Sequence, residues 1–200
     1  MMSLPDQPRR PVGLAVFLIV AGAVGWAAAF ALTLDKFRLL EDPQAQLSCN
    51  FSVLIGCSTN LTSPQGSLFG FPNPLIGVAG WSALITIGAA IIAGARLARW
   101  FWVCMNLGLA AALAFVIWLI GQSIFVLDVL CPWCMVTWAA TIPSFLAVTF
   151  YNLGTGHIPV PASVRRIAQA AYSWLLVITI GCYIVVAVVA QLTMDVLHRL

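Results

Sequence analysis

A chain of 200 residues that is 62% hydrophobic and only 8% charged does not read as a soluble domain, because soluble chains carry about 25% charged residues. The formal net charge is +3 and the basic residues are scattered, so no nucleic-acid partner is expected. With most residues destined for lipid, residues 1–200 are read as a single membrane domain with short loops.

Residues 1–10 are polar and end in Arg9-Arg10. Pro11 to Leu34 is an apolar run of 24 residues, about 36 Å long as a helix at 1.5 Å per residue. A secretory signal has a shorter apolar region of about 7–15 residues. Ala27-Ala28-Ala29 imitates a cleavage site, but the run is read as a retained first span, 12–34. Residues 35–73 then form a long polar outer loop. It opens with Asp35, Lys36, Arg38, Glu41 and Asp42, continues through Cys49 and Cys57, and becomes rich in Ser, Thr and Asn up to Gln65. Phe69-Gly70-Phe71-Pro72 is apolar but broken by Gly and Pro, so it is expected to lie on the membrane interface or dip into it. A loop of this length is usually functional or disordered, and two cysteines with an aromatic anchor favour function.

The second span is read at 75–95, with Gly77 and Gly80 allowing close helix contact. Arg96 and Arg99 mark a short turn. The third span covers 100–126, and Asp128 lies in a brief connection to the fourth, 132–151. A polar loop with Arg165 and Arg166 leads to a fifth span, 171–192. The fold class is therefore all-α, an integral membrane protein with five transmembrane helices. The positive-inside rule orients it. With the N-terminus cytoplasmic, the inner segments hold Arg9, Arg10, Arg96, Arg99, Arg165 and Arg166, and the outer segments hold Lys36, Arg38 and Arg199. Both Cys49 and Cys57 and the later Cys131-Pro132-Trp133-Cys134 then fall on the outer face of a plasma (inner) membrane.

That CxxC opens the fourth apolar run. Pro132 suits the first position of a helix, which makes Cys131 the N-cap and places Cys134 in the first turn. Sulfur at a helix N-terminus faces unpaired N–H groups and the positive end of the dipole, which favours thiolate. Disulfides persist outside the cytoplasm, so four outer cysteines are expected to be paired or cycling. Two static disulfides, Cys49–Cys57 and Cys131–Cys134, are one reading. A CxxC closes too small a loop to be a good staple. A four-cysteine metal site is another, but seven residues separate Cys49 from Cys57, unlike a usual zinc half-site, and no His is near, so no metal is expected. A relay accounts for all four: a mobile loop pair that reaches a partner, and a fixed pair in the bundle that exchanges with it through a mixed disulfide.

The run from Cys49 and Cys57 through Ser63 and Phe69-Gly70-Phe71-Pro72-Asn73-Pro74-Leu75-Ile76-Gly77, followed much later by Cys131-Pro132-Trp133-Cys134, resembles the vitamin K epoxide reductase family over roughly residues 12–150. More narrowly, it is similar to bacterial members that make disulfides for secreted proteins. The resemblance implies a four-helix bundle around a quinone of the menaquinone or ubiquinone type, capped by a short half-helix from the first outer loop. It implies that Cys49 exchanges with a thioredoxin-like partner, periplasmic or membrane-anchored. Cys57 would then pass electrons to Cys131 through a transient disulfide, and Cys134 would face the quinone. Asn73 would hydrogen-bond a quinone oxygen and Ser63 would support the half-helix or the quinone site. Trp133, Trp138 and Phe71 are the aromatic candidates for the quinone wall. Vertebrate members carry Tyr where this chain has Trp138, whose indole donates a hydrogen bond but cannot accept one. Some bacterial members continue into a thioredoxin-like domain. This chain stops at Leu200, so the expected partner is a separate protein. Quinone or vitamin K epoxide reduction as the main role, and a non-enzymatic protein with two structural disulfides, are the rival readings.

The remaining features have plainer readings. Cys104 and Cys182 are small apolar residues of helices. Trp100, Trp102 and Trp174 sit where interfacial anchors belong. Asp128 is a solvated turn residue, and His157 and His198 have no catalytic role. Asn50-Phe51-Ser52 and Asn60-Leu61-Thr62 fit the glycosylation pattern by chance, because a glycan there would obstruct a partner.

Overall fold

Five apolar runs with no interior breaker except Pro143 fold into five long helices. The structure is a computed structural model and describes residues 11–52 and 54–199. Arg9 and Arg10, counted above on the inner side, lie outside the described residues. The helices are α1 Val12–Glu41, α2 Ser58–Thr62, α3 Pro74–Ala93, α4 Arg99–Gln122, α5 Pro132–Thr155, α6 Ala162–Ser173, α7 Leu175–Met194 and α8 Val196–Arg199. Among the described residues α1, α3, α4, α5 and α7 are long and apolar enough to cross a membrane. The chain is thus an all-α multi-pass membrane protein.

Two boundaries differ from the sequence reading. The first helix does not stop at residue 34. Nothing between Asp35 and Glu41 breaks a helix, and it ends only where Asp42 turns extended, as the residue before Pro43 is biased to do. The charged stretch that read as loop is therefore helix. The polar segment after span four also folds. Gly156 takes a left-handed conformation that ends α5, Pro161 precedes α6, and α6 is an amphipathic helix with Ala168 buried, Ile167 exposed and Arg165 and Arg166 on its polar side. A break at Trp174 separates α6 from the fifth spanning helix, which begins at Leu175.

α1 lies along α3 and α5, and α4 packs on α5. α7 stands outside, against α5 and the end of α4. Close approach of α1 and α3 uses Gly22 and Gly88. A Cβ on Gly88 would sit 2.8 Å from the Ala15 carbonyl oxygen, a backbone atom that cannot yield. Gly77 likewise meets Ala29, whereas Gly80 faces open space rather than a helix. α3 and α4 stand apart, and the space between them is the cavity described below.

Pro143 explains how α7 docks. Proline lacks an N–H, so the carbonyl of Ala139 four residues earlier loses its helical donor. The Tyr183 hydroxyl on α7 donates to that carbonyl. In lipid no water could do so. Tyr183→Phe is therefore expected to destabilise the fold by about 1–3 kcal/mol, measured as a lower midpoint of denaturation in detergent. In a Pro143→Ala background, where the backbone donor returns, the same substitution should cost little.

Candidate active site

Two segments far apart in sequence are tied at one end of the bundle. Ile55 and Leu130 form a parallel bridge: the Leu130 N–H donates to Leu54 O at 2.8 Å and the Gly56 N–H to Leu130 O at 3.0 Å. The bridge brings the loop cysteines against the mouth of α5. Asn50 organises the loop between them. Its Oδ1 accepts from the N–H of Cys57 at 2.9 Å and of Ser58 at 3.3 Å, and its Nδ2 donates to Ser58 Oγ. Lys36 donates to Leu61 O at 2.6 Å and pins the loop to α1. The loop read as mobile is thus held at both ends, with Cys57 wholly buried and Cys49 3% exposed.

Cys49 and Cys57 are joined as a disulfide, while Cys131 and Cys134 are free. Cys57 Sγ lies 3.4 Å from Cys131 Sγ. Cys131 is the N-cap of α5, and its sulfur accepts the Cys134 N–H at 3.3 Å. The Cys134 thiol also donates to Cys131, and this bond is the main cause holding the Cys131 thiol below its usual range. The first-turn N–H groups assist, while burial and, when it is ionised, Asp35 oppose. One pair is therefore oxidised, and the other presents an acidified thiol in contact with it.

Beneath this end lies a cavity of about 740 Å³ whose walls come from α1, α3, α4, α5 and the loop cap. The cap is α2 followed by a short 3-10 helix, Pro64–Ser67. Ser63 starts that helix, with its Oγ accepting the Gly66 N–H and donating to Asn60 O. Asn73 closes the cap by donating to Gln65 O at 2.6 Å and accepting the Leu68 N–H at 3.1 Å. Cys134, Thr137, Trp138 and Thr141 share the α5 face that lines the cavity, as positions three and four apart on a helix must.

The sequence-named residues divide accordingly. Cys134, Trp138, Ser63 and Asn73 line the cavity. Trp133 does not, because it lies one residue off the lining face of α5 and packs instead against the buried cluster that holds Cys49, Cys57 and Cys131. Phe71 does not line the cavity either, although its ring stacks on that of Phe69. Phe69, in contact with Phe115 at 5.8 Å, supplies the cap's aromatic wall. Trp102 is buried against Tyr151 and His157 rather than set at an interface.

Several contributors were missed in the sequence. Gln65 Nε2 donates to Gln122 Oε1 at 3.2 Å, Ser123 Oγ to Asn60 Oδ1 at 3.0 Å, and Asn60 Nδ2 to Val129 O at 3.4 Å. These side chains form a polar roof on the cavity. Polar groups within an apolar span mark function, and Gln122-Ser123 in span three was that signal. Gln65 Oε1 is a buried acceptor with no partner. An apolar cavity with a few convergent polar groups suits an amphiphilic ring that carries oxygens at its edge.

A dithiol–disulfide pair seated on such a cavity inside a helical membrane bundle defines a class, the membrane thiol oxidoreductases. Residues 16–149 match the model of the Vitamin K epoxide reductase family, and the chain belongs to that family. It is accordingly a membrane oxidoreductase of the thiol and quinone type. No curated protein matches the chain.

Because Cys134 is the main cause of the low Cys131 pKa, Cys134→Ala should move the alkylation profile of Cys131 to higher pH. The rate would be followed with iodoacetamide while the loop pair stays oxidised. A profile identical to that of the parent would contradict the assignment.

Proposed function

We propose that the protein oxidises a thioredoxin-like thiol protein on the outer face of the plasma membrane and delivers the electrons to a membrane quinone, in support of disulfide formation in exported proteins. The observation that carries this is the division of labour within one CxxC. Cys131 touches Cys57 of the loop pair, whereas Cys134 lines the cavity. Two structural staples would need no such contact.

The partner thiolate attacks Cys49 Sγ and Cys57 leaves. The partner's second thiol then resolves the mixed disulfide, leaving the loop pair reduced. Cys57 next attacks Cys131 of an oxidised CxxC and Cys134 leaves. Attack of Cys49 on Cys57 re-forms the loop disulfide and frees Cys131 as thiolate, which is the redox state seen here. Closure of Cys131–Cys134 returns the electron pair on the cavity side. A quinone bound in the cavity supplies the two-electron acceptor. Trp138, Phe69 and Phe115 flank its space, and Gln65 Oε1 together with the second N–H of Asn73 Nδ2 offers an acceptor and a donor toward it. Phe51, 73% exposed two residues from Cys49, presents an apolar anchor for the partner. The arginines of the α3–α4 turn and of α6 lie at the opposite end of the bundle, where Arg99 Nε donates to His157 O. This supports a cytoplasmic N-terminus with the cysteines outside.

The test is anaerobic turnover by the purified chain with a reduced thioredoxin-like protein and a short-chain quinone. Quinol is expected to form in step with lost thiols, and Cys134→Ala should abolish it. No quinol from the parent protein would overturn the reading. In cells, Cys57→Ala should trap the partner as a larger band on a non-reducing gel, and Cys49→Ala added to it should remove that band. Gly80 faces the cavity with open space beyond its Cα. Gly80→Phe should therefore fill part of the cavity and raise the quinone KM by about tenfold or more, at least the weight of a one-methylene misfit in an apolar pocket, with thiol exchange at Cys49 intact.

A further inference from the structure

Asp35 takes no part in the exchange as written, yet it is 3% exposed at the base of the loop disulfide. Its Oδ1 accepts from Arg38 Nη1 at 3.3 Å, and the Arg38 side chain is 60% exposed. Its Oδ2 stands 3.5 Å from Cys49 Sγ. A carboxylate oxygen of Asp35 and the sulfurs of Cys49 and Cys57 all lie within 4.8 Å of one another. Cys49 is disulfide-bonded here and carries no S–H, so the near approach to Oδ2 is not a hydrogen bond in this state. A buried carboxylate oxygen facing a sulfur with nothing to donate is costly. The cost is lifted in either redox state by one proton: Oδ2 carries it while the loop pair is a disulfide, and reduction of the pair places it on Cys49, which then donates to Oδ2.

We propose that Asp35 is the proton carrier for Cys49. It protonates the Cys49 thiolate when the partner leaves, and takes the proton back when Cys49 re-forms its disulfide with Cys57. This rests on the exchange sequence proposed above and adds the residue that moves its proton.

The steps balance. When the partner's second thiol closes on the partner sulfur, the partner–Cys49 bond breaks and the electron pair stays on Cys49. The Asp35 carboxylic acid gives its proton to that thiolate and becomes a carboxylate held by Arg38. In the return step the Cys49 sulfur attacks Cys57 Sγ of the Cys57–Cys131 disulfide. The Cys49–Cys57 bond forms, the Cys57–Cys131 bond breaks, Cys131 keeps the electron pair, and the Cys49 proton passes to Oδ2. Asp35 ends protonated, ready for the next partner. Two electrons leave the loop pair and one proton shuttles. The charged and titratable groups facing Asp35 are Arg38 on its own helix, Cys49 and Cys57 on the loop, and Cys131 at the mouth of α5. A base beside a thiol accelerates its attack only while the thiol would otherwise be protonated.

The test compares the full chain with Asp35→Asn and Asp35→Glu in the same turnover assay, from about pH 6.5 to about pH 9, across the usual cysteine range. Asp35→Asn is expected to slow turnover by about 100-fold at the low end, the typical weight of a general base. The deficit should close as pH rises and Cys49 ionises unaided, and Asp35→Glu should recover most of the rate. A deficit of equal size at every pH, or none, overturns the proposal. If Asp35→Asn does not accumulate folded, Arg38→Gln serves instead. Without the cation the Asp35 carboxylic acid gives up its proton less readily, so the acid limb of the profile should move to higher pH, and an unmoved limb counts against Asp35. Single-turnover reduction and reoxidation of the loop disulfide with dithiothreitol and its cyclic disulfide, in the same variants, reads Asp35 without quinone or protein partner. A parent that fails only the quinone assay therefore indicts the proposed function, whereas variants that match the parent in the dithiothreitol assay indict the proton carrier.

Discussion

The contact between Cys57 and Cys131 is the constraint on which the rest of the molecule depends. Thiol–disulfide exchange needs the attacking sulfur on the line of the bond it breaks, and 3.4 Å between sulfurs 74 residues apart in sequence must be held by something stiffer than a loop. The stiffness comes from the bridge of Ile55 and Leu130, from the Asn50 amide, and from the anchoring of Lys36 on the cap. Each places a backbone segment rather than a sulfur. Together they leave the loop cysteine one direction to face.

The lipid setting dictates much of the remaining detail. Polar groups in a bundle have no water to fall back on, and several unusual residues are met by a specific partner. The carbonyl orphaned by Pro143 is met by Tyr183 on α7. Asn152 reaches across to Trp102 O and Asn106, tying α5 to α4 at the far end. Asn60 is engaged by Ser123 and Val129, and Asn50 by Cys57 and Ser58. The asparagines of both motifs that fit the glycosylation pattern are thus taken up in the cap's own hydrogen bonding. Gln65 Oε1 on the cavity roof is a buried acceptor left over beside the redox chemistry, and Asp35 Oδ2 under the disulfide faces a sulfur that has no proton to give.

The spans were legible because twenty apolar residues in a row admit few other fates, and the N-cap role of Cys131 because Pro132 suits only the start of a helix. Errors arose where local signals were ambiguous. Charge in Asp35-Lys36-Phe37-Arg38 read as loop, but charge alone does not end a helix, and α1 carries Asp35 beneath the loop pair. Phe69 and Phe71 flank the same glycine with their rings stacked, and only the path of the cap sets Phe69 on the cavity wall. Trp133 and Trp138 both neighbour Cys134 in sequence. The helical period puts Trp138 on the cavity face and Trp133 on the disulfide side.

The sequence by itself determined the kind of protein: a membrane bundle with two cysteine pairs at one end, because hydropathy sets the spans, alternation of spans sets the ends, and cysteine spacing sets the chemistry. The family resemblance implied that Cys57 meets Cys131 and that Cys134 faces the quinone; only the tertiary structure set Cys57 against Cys131, Cys134 on the cavity wall and Asp35 against Cys49. Those are relations between separate segments, 14 residues apart for Asp35 and Cys49 and 74 for Cys57 and Cys131. They follow from how helices pack and how the cap folds back onto them, which no local pattern encodes.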